Sequence, residues 1–261
     1  MSRLERELQV AREAAVRAGE VIARYAAGDR ESWDKSDDNP VTQADLEANE
    51  TILGVIHAAF PGDAVLSEET ADSPARLDSD RLWVIDPLDG TKEFIEGVPQ
   101  FAVSIGLVEA GQPVVGAIYQ PLTRECFWAS EGGGAFADGT SLRVSERSRL
   151  DASVMLSSRT EMKRGQVDVY RDWFKQIEPV GSAAFKLALV AAARGDLWLS
   201  TAPKSEWDVC AGDALVREAG GVFVTLGEGA RTYNQSDILL QPEMLAGPPA
   251  LVDAFRARRE A

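Results

Sequence analysis

The sequence predicts a mixed helix-and-sheet protein whose first part is α+β and whose second part is α/β. Three observations carry this reading. Two amphipathic helical patterns open the chain, short β-branched segments separated by turn residues follow, and after about residue 145 strands and helices alternate. The 261 residues can bury a large core as one body or as two subdomains, and neither a low-complexity linker nor an internal repeat interrupts them.

In chain order, Leu4, Leu8, Ala11, Ala15, Ala18, Ile22 and Tyr25 recur at helical spacing and predict a long helix over 4–27, before Gly28-Asp29. A second helix is expected over 41–59. Thr42 can cap it, Asp45 falls in its first turn, and Leu46, Ile52, Leu53 and Ile56 form its apolar face. Strands are then expected at 64–66, 82–85, 101–108, 113–119 and 124–129, with turn residues such as Gly111 and Pro121 separating the last three. Beyond this meander the pattern predicts a strand at 153–157, helices at 166–177 and 183–194, a strand at 196–200, a helix after Asp208 and a strand at 221–225. The second half therefore reads as a helix-flanked sheet, and the boundary is expected at 145/146, giving segments 1–145 and 146–261.

The chemistry is concentrated in Trp83-Val84-Ile85-Asp86-Pro87-Leu88-Asp89-Gly90-Thr91-Lys92. Leu82 to Ile85 reads as a buried strand, and Pro87, with a fixed φ and no N–H, predicts that the chain turns out of the strand there. Asp86 and Asp89 can then face one point, with a carbonyl such as that of Leu88 between them, an all-oxygen set of the kind Mg²⁺ takes. Gly90 and Thr91 suit a helix start where amide groups meet an anion. An ordinary Asp-Gly turn fits the same residues, so three further acidic elements matter. Asp208 stands at the start of a small-residue helix closed by Gly220-Gly221, as a cap or as a ligand. Glu68 and Glu69 follow the strand 64–66, as solvated loop residues or as ligands, and Asp45 occupies the first turn of its helix.

Composition excludes several alternatives. His57 is the only histidine and falls on an apolar helical run, which argues against a histidine zinc site, a phosphohistidine or a Ser-His-Asp triad; it is expected near the surface. Cys126 and Cys210 form no CxxC and read as reduced packing residues. A formal net charge of −15 argues against a protein that coats nucleic acid or anionic membrane. No apolar run reaches the roughly 18 residues of a span, and no export signal is recognisable, so a soluble, cytoplasmic protein is expected.

The order and wording of these elements resemble the inositol monophosphatase superfamily of Mg²⁺-dependent, lithium-sensitive phosphatases. The motifs are Asp86-Pro-Leu-Asp-Gly-Thr91, Trp207-Asp208, Ser67-Glu68-Glu69, Pro40-Val-Thr-Gln-Ala-Asp45, Gly181-Ser-Ala-Ala184 and Phe101-Ala-Val-Ser-Ile-Gly106, spanning about residues 5–255. The resemblance implies two stacked subdomains in a layered αβαβα sandwich, with the active site at their junction. It also implies two or three Mg²⁺ ions. One would be held by Glu68, Asp86 and the Leu88 carbonyl, another by Asp86, Asp89 and Asp208. Asp45 with Thr91 would orient and deprotonate the attacking water, and the amides of Gly90 and Thr91 would hold phosphate oxygens. Glu68, Leu88, Asp89, Asp208, Gly181, Ser182 and Lys204 would border the substrate. Carboxylates gathered in this way repel one another without a cation, so the bottom-up chemistry agrees.

Within the superfamily, Thr91-Lys92-Glu93-Phe94 and Pro203-Lys204-Ser205-Glu206-Trp207-Asp208 look like the 3′(2′),5′-bisphosphate nucleotidases. Thr201 stands where many inositol phosphatases place an acid for ring hydroxyls. The expected reaction is hydrolysis of the 3′-phosphate of adenosine 3′,5′-bisphosphate, with inositol 1-phosphate or other sugar and polyol phosphates as the alternative. The wording of Gly181 to Lys186 is shared with the inositol phosphatases. Lys204, and by analogy Lys35, are candidate basic groups near substrate, whereas Lys186, weighed as a 5′-phosphate contact, reads in preference as a helix lysine facing water. Trp207 is expected to pack beneath the metal site. A non-catalytic phosphometabolite-binding regulator is the alternative of another class, disfavoured because the Asp45/Thr91 pair is intact. The partner is a small phosphate ester rather than a nucleic acid polymer or a membrane, and the chain is a monomer or a homodimer.

Overall fold

The computed structural model describes residues 3–28, 32–36, 39–227 and 232–260, and the side chains of 34–40 lie outside the described residues. Helix α1 (Glu5–Ala26) and helix α2 (Gln43–Ala59) flank a hairpin of β1 (Ser32–Ser36) and β2 (Asn39–Thr42). Small residues let the two helices approach closely: Ala11, Ala15 and Ala18 of α1 and Ala44 and Ala48 of α2 are fully buried in one apolar cluster.

The first sheet runs β3 (Ala64–Ser67), β4 (Arg81–Asp89), β5 (Ala102–Glu109), β6 (Gln112–Gln120), β7 (Glu125–Ser130), β8 (Gly134–Ala137) and β9 (Thr140–Ser141) in spatial as in chain order, with helix α3 (Thr91–Glu96) between β4 and β5. β3 pairs in parallel with β4, and the remaining pairs are antiparallel. The second sheet contains β10 (Val154–Ser157), β11 (Gln176–Pro179), β12 (Leu197–Ser200), β14 (Val222–Thr225) and β16 (Met244–Gly247) in the order β11-β10-β12-β16-β14. A separate two-stranded ribbon pairs β13 (Lys204–Ser205) with β15 (Leu239–Leu240). The remaining helices are α4 (Arg159–Lys163), α5 (Ala183–Ala191), α6 (Glu206–Glu218) and α7 (Pro249–Glu260).

Strand alternation assigns the layers. Ile85, Ile105 and Leu107 of the first sheet join the cluster of α1 and α2. Val84, Ile118 and Phe127, on the opposite face, join α5 and α6. Those two helices also cover Leu156, Trp198 and Ala246 of the second sheet, while Met155, Leu199 and Leu245 turn to Leu251 and Phe255 of α7. The result is helix, sheet, helix, sheet, helix, the sandwich that the family resemblance implies. Among the described residues no helix is long and apolar enough to cross a membrane.

Helix α6 lies unusually close to the first sheet because two strand residues lack a side chain. A Cβ on Gly106 would fall 2.6 Å from Cys210 Sγ, and one on Gly116 would overlap the carbonyl oxygen of Ala211.

Two expectations need correction. The helix expected over 166–177 is a 3-10 turn, Asp168–Trp173, followed by strand β11. Val167, Tyr170 and Phe174 are buried at a spacing that imitates a helix, but Gly165 turns at positive φ and Gln176–Pro179 pair with the edge of β10. Pro179, lacking an N–H, is tolerated on that outer strand. The strand expected to end at Ile85 instead continues to Asp89 through an irregularity. Asp86 pairs with Ser104 and Asp89 with Ala102, so one extra residue is accommodated around Pro87.

Candidate active site

The irregularity in β4 builds the centre of the site. Asp86 Oδ1 accepts the N–H of Leu88 at 3.0 Å, closing a small turn inside the strand. Gly90 caps α3 at φ 95°, where a Cβ would sit 3.0 Å from the Gln100 carbonyl oxygen, so glycine is required there. Thr91 Oγ1 lies 3.1 Å from Asp45 Oδ1 and 3.1 Å from the Leu88 carbonyl oxygen, and its single proton serves one at a time.

Asp45 comes from the first turn of α2. Its Oδ2 accepts from Thr42 N at 2.8 Å and Thr42 Oγ1 at 2.5 Å, a capping box that fixes the carboxylate while Oδ1 faces Thr91. Burial pushes the Asp45 carboxyl up to about 6; the Thr42 bonds oppose this, and the nearby charge of Glu69 adds to it. At the end of β3, Ser67 Oγ donates to Asn49 Oδ1 at 2.7 Å and Glu68 N donates to Ile85 O at 3.2 Å, so the Glu68 loop is tied to α2 and β4.

Asp208 approaches from the other side of the cavity. As the third residue of α6 it accepts the N–H of Ser205 at 2.8 Å, so it is both a helix cap and a wall of the site. Asp89 Oδ2 accepts from Ser182 Oγ and from Ala184 N, both at 2.6 Å, at the start of α5. Asp86, Asp89 and Asp208 thus each bring a carboxylate oxygen within 4.8 Å of the others. Burial, and then the charges of Glu68, Asp89 and Asp208, hold the Asp86 carboxyl well above the usual carboxylate range. Burial likewise raises Asp208 to about 6, against the opposing pull of Lys204. Three converging carboxylate oxygens, two of them on groups whose ionisation burial and neighbouring carboxylates suppress, Asp86 and Asp208, fit a hard divalent cation such as Mg²⁺.

A cavity of about 280 Å³ joins these groups, lined among others by Glu68, Asp86, Leu88, Asp89, Gly90 and Thr91. Gly181, Ser182, Lys204 and Asp208 complete the residues the sequence placed near substrate or metal. Asp45 stands behind Thr91. Glu68 borders the cavity but lies outside the three-aspartate group. Trp207 packs against the central core and its carbonyl accepts from Ser104 Oγ at 3.3 Å, while His57 is exposed on α2. Cys126 and Cys210 are free and buried. The Lys35 side chain is outside the described residues.

Sequence reasoning missed Lys92, Glu93, Ser158, Thr160 and Lys186 as cavity residues. Lys186 does not face water: it is 3% exposed, and Nζ donates to the carbonyls of Val180 at 2.9 Å and Ser182 at 2.7 Å. Burial lowers its pKa to about 8. Glu161 was also missed, although Ser158-Arg-Thr-Glu161 has the spacing of a capping box. Its buried carboxylate sits at Thr201, the position read as lacking an acid. Glu161 Oε1 accepts from Thr201 N at 2.6 Å, Thr201 Oγ1 at 2.9 Å, Ala202 N at 3.0 Å and Ser200 Oγ at 3.2 Å. Oε2 is within reach of Ser157 Oγ and Ser158 N.

Five alternating layers with buried carboxylates converging between two of them define a phosphatase that works through divalent cations. The chain matches the model of the inositol monophosphatase family over residues 3–256. It belongs to that family and is a Mg²⁺-dependent phosphoric monoester hydrolase. Inositol-1-monophosphatase of Mesorhizobium japonicum is 36% identical over 248 residues, 91% of this chain and 92% of its own length. Nus factor SuhB of Pasteurella multocida is 34% identical over 254 residues, 94% of this chain and 92% of its own. The crystal structure of CysQ from Bacteroides thetaiotaomicron superposes with a TM-score of 0.76 at 31% identity, covering 93% of this chain and 97% of that one.

Proposed function

We propose that the enzyme hydrolyses the 3′-phosphate of adenosine 3′,5′-bisphosphate. The observation that carries this reading is a cationic basin beside the carboxylate cavity. A second recess of about 620 Å³ shares Lys92, Glu93 and Thr160 with it and adds Arg159, Lys163 and Arg164. Four basic side chains stand here against two acidic ones, Glu93 and Glu96, both paired with Arg159, and this positive balance in a protein of net charge −15 suits a substrate with a second anionic group. Inositol 1-phosphate has no such group. The likeness to CysQ supports the same branch, whereas the likeness to an inositol-1-monophosphatase supports the alternative. Glu161 does not favour inositol, because both of its oxygens are engaged by internal donors rather than free for ring hydroxyls.

In this reading Asp86, Asp89, Asp208, Glu68 and the Leu88 carbonyl would hold Mg²⁺, which would supply neutralisation of phosphate charge and stabilisation of the leaving oxygen. Thr91 passes a proton from the attacking water to Asp45, whose pKa of about 6 suits a base that is ionised at neutral pH and able to accept that proton. Gly90 and Thr91 amides orient the phosphate, and Lys204 faces it from the opposite wall. The protein works in the cytoplasm, where two buried free thiols are in keeping with reducing conditions.

The test is phosphate release from adenosine 3′,5′-bisphosphate, inositol 1-phosphate and a ketose 1,6-bisphosphate, side by side, with Mg²⁺ and with chelator. A preference of at least about tenfold in kcat/KM for the nucleotide, lost when Lys163 and Arg164 become alanine, is expected. Faster turnover of inositol 1-phosphate would overturn the nucleotide assignment, and faster turnover of the ketose bisphosphate would keep the basin but change the substrate.

A further inference from the structure

We propose that Lys186 is a positioning residue that fixes Asp89 through Ser182. This rests on the reading of Asp89 as a cation ligand. Helix α5 is apolar along its length except for this lysine, and all nine of its residues are buried. A buried ammonium is costly, and a methionine would fill similar space without that cost, so the charge needs a reason. Its contacts supply one. Lys186 Nζ reaches back over the start of its own helix to the carbonyls on either side of Gly181, those of Val180 and Ser182.

The turn it holds is strained. Ser182 sits at φ 57°, a region that a residue with a Cβ rarely adopts. Capping alone does not require this, since N-cap residues ordinarily take extended angles. Gly181 closes the same turn: its N–H donates to Gln100 Oε1 at 2.9 Å, and a Cβ there would lie 2.6 Å from the Gln100 carbonyl oxygen. In this conformation the Ser182 hydroxyl donates to Asp89 Oδ2 and accepts from Phe185 N at 2.9 Å. Ala184 N donates to the same Oδ2. The ammonium therefore holds the turn, the turn aims the hydroxyl, and the hydroxyl fixes the rotamer of Asp89. Ligand-orienting bonds of this kind commonly change metal affinity by roughly 10–100-fold.

The experiment is a Mn²⁺ titration, followed by the paramagnetic resonance of the free ion, on the full chain and on Lys186→Met, Ser182→Ala, the double variant and Asp89→Asn. Lys186→Met and Ser182→Ala should each weaken Mn²⁺ binding about tenfold, and the double variant should be no weaker than the worse single one. If Lys186→Met does not fold, Ser182→Ala alone carries the test, and unchanged affinity there overturns the relay. Additive losses in the double variant overturn it too. Unchanged Mn²⁺ affinity with a raised KM in Lys186→Met would overturn the proposal by making Lys186 a substrate contact. Asp89→Asn binding Mn²⁺ as tightly as the native chain would instead remove the ligand reading beneath it.

Discussion

Two buried carboxylates beside the same cavity behave in opposite ways. Glu161 and Asp86 are both withdrawn from water, at 3% and 1% exposure. Glu161 is nevertheless held below the usual carboxylate range: burial pushes it up, but the Lys204 charge and the donors of Thr201 and Ser158 together outweigh that. Asp86 accepts a hydrogen bond from Leu88 N, feels the charge of four other carboxylates, Glu68, Asp89, Asp208 and Asp45, and is driven upward. Burial alone does not decide the charge state of a carboxylate; the neighbouring charges and the supply of donors do. A fully satisfied carboxylate such as Glu161 is a structural pin between β10 and β12. One left short of donors, like Asp86, is made for something that arrives later.

This contrast can be broken by substitution. Asp45→Asn, which removes the proposed base, should lower kcat by at least about a hundredfold in the phosphate-release assay; unchanged turnover would sink the mechanism. Asp86→Asn should also abolish turnover, yet raise the Tm of the metal-free protein, because a buried acid crowded by other carboxylates is replaced by a group that carries no charge at any pH. Glu161→Gln should do the reverse. It replaces an acceptor oxygen with a donor facing other donors, which costs about 2–3 kcal/mol of stability by chemical denaturation, with a smaller effect on kcat. A Tm shift of the same sign in both variants would erase the distinction.

pH sharpens the same comparison more gently. Asp45 and Asp208 are raised to about 6, so the native state binds more protons than the unfolded chain between about pH 4 and 6. Their contribution therefore destabilises the metal-free protein as pH rises through that window. Glu161, being lowered, contributes stability above its unfolded pKa that is lost as pH falls through its folded one. Scanning calorimetry should show the Mg²⁺-induced rise in Tm growing from pH 5 to pH 7. A rise that is constant with pH would mean that the cation does not relieve carboxylate repulsion.

The same divide explains what was legible in the sequence. Asp45 and Asp208 stand three residues after Thr42 and Ser205, and such local caps can be read from spacing. The strand alternation that separates Ile85 from Val84 is equally local. Glu161 meets Thr201 forty positions away, and Ser182 meets Asp89 over ninety, so neither bond leaves a periodic trace. Lys186 misled for a related reason: a lysine on a helix suggests solvent until the turn before it supplies two carbonyls. At Pro87 the missing N–H was read as the end of the strand, but the ladder is only interrupted there and the strand resumes beyond it. At 166–177 tertiary pairing overrode a pattern that was helical by count.

The notch that Gly106 and Gly116 open beneath α6 bears on how near Asp208 comes to the two aspartates of the sheet. Asp86 and Asp89 belong to the sheet and Asp208 to the helix seated upon it, so the gap between them is fixed by two missing methyl groups. Oxygens at about 2.0–2.1 Å suit Mg²⁺, and about 2.3–2.6 Å suits Ca²⁺. A methyl group at Gly106 would fall 2.6 Å from Cys210 Sγ, so α6 or that side chain would have to move. Gly106→Ala is therefore expected to shift the balance of Mg²⁺ and Ca²⁺ binding from a position that touches neither metal nor substrate, which a competition titration of the two ions checks.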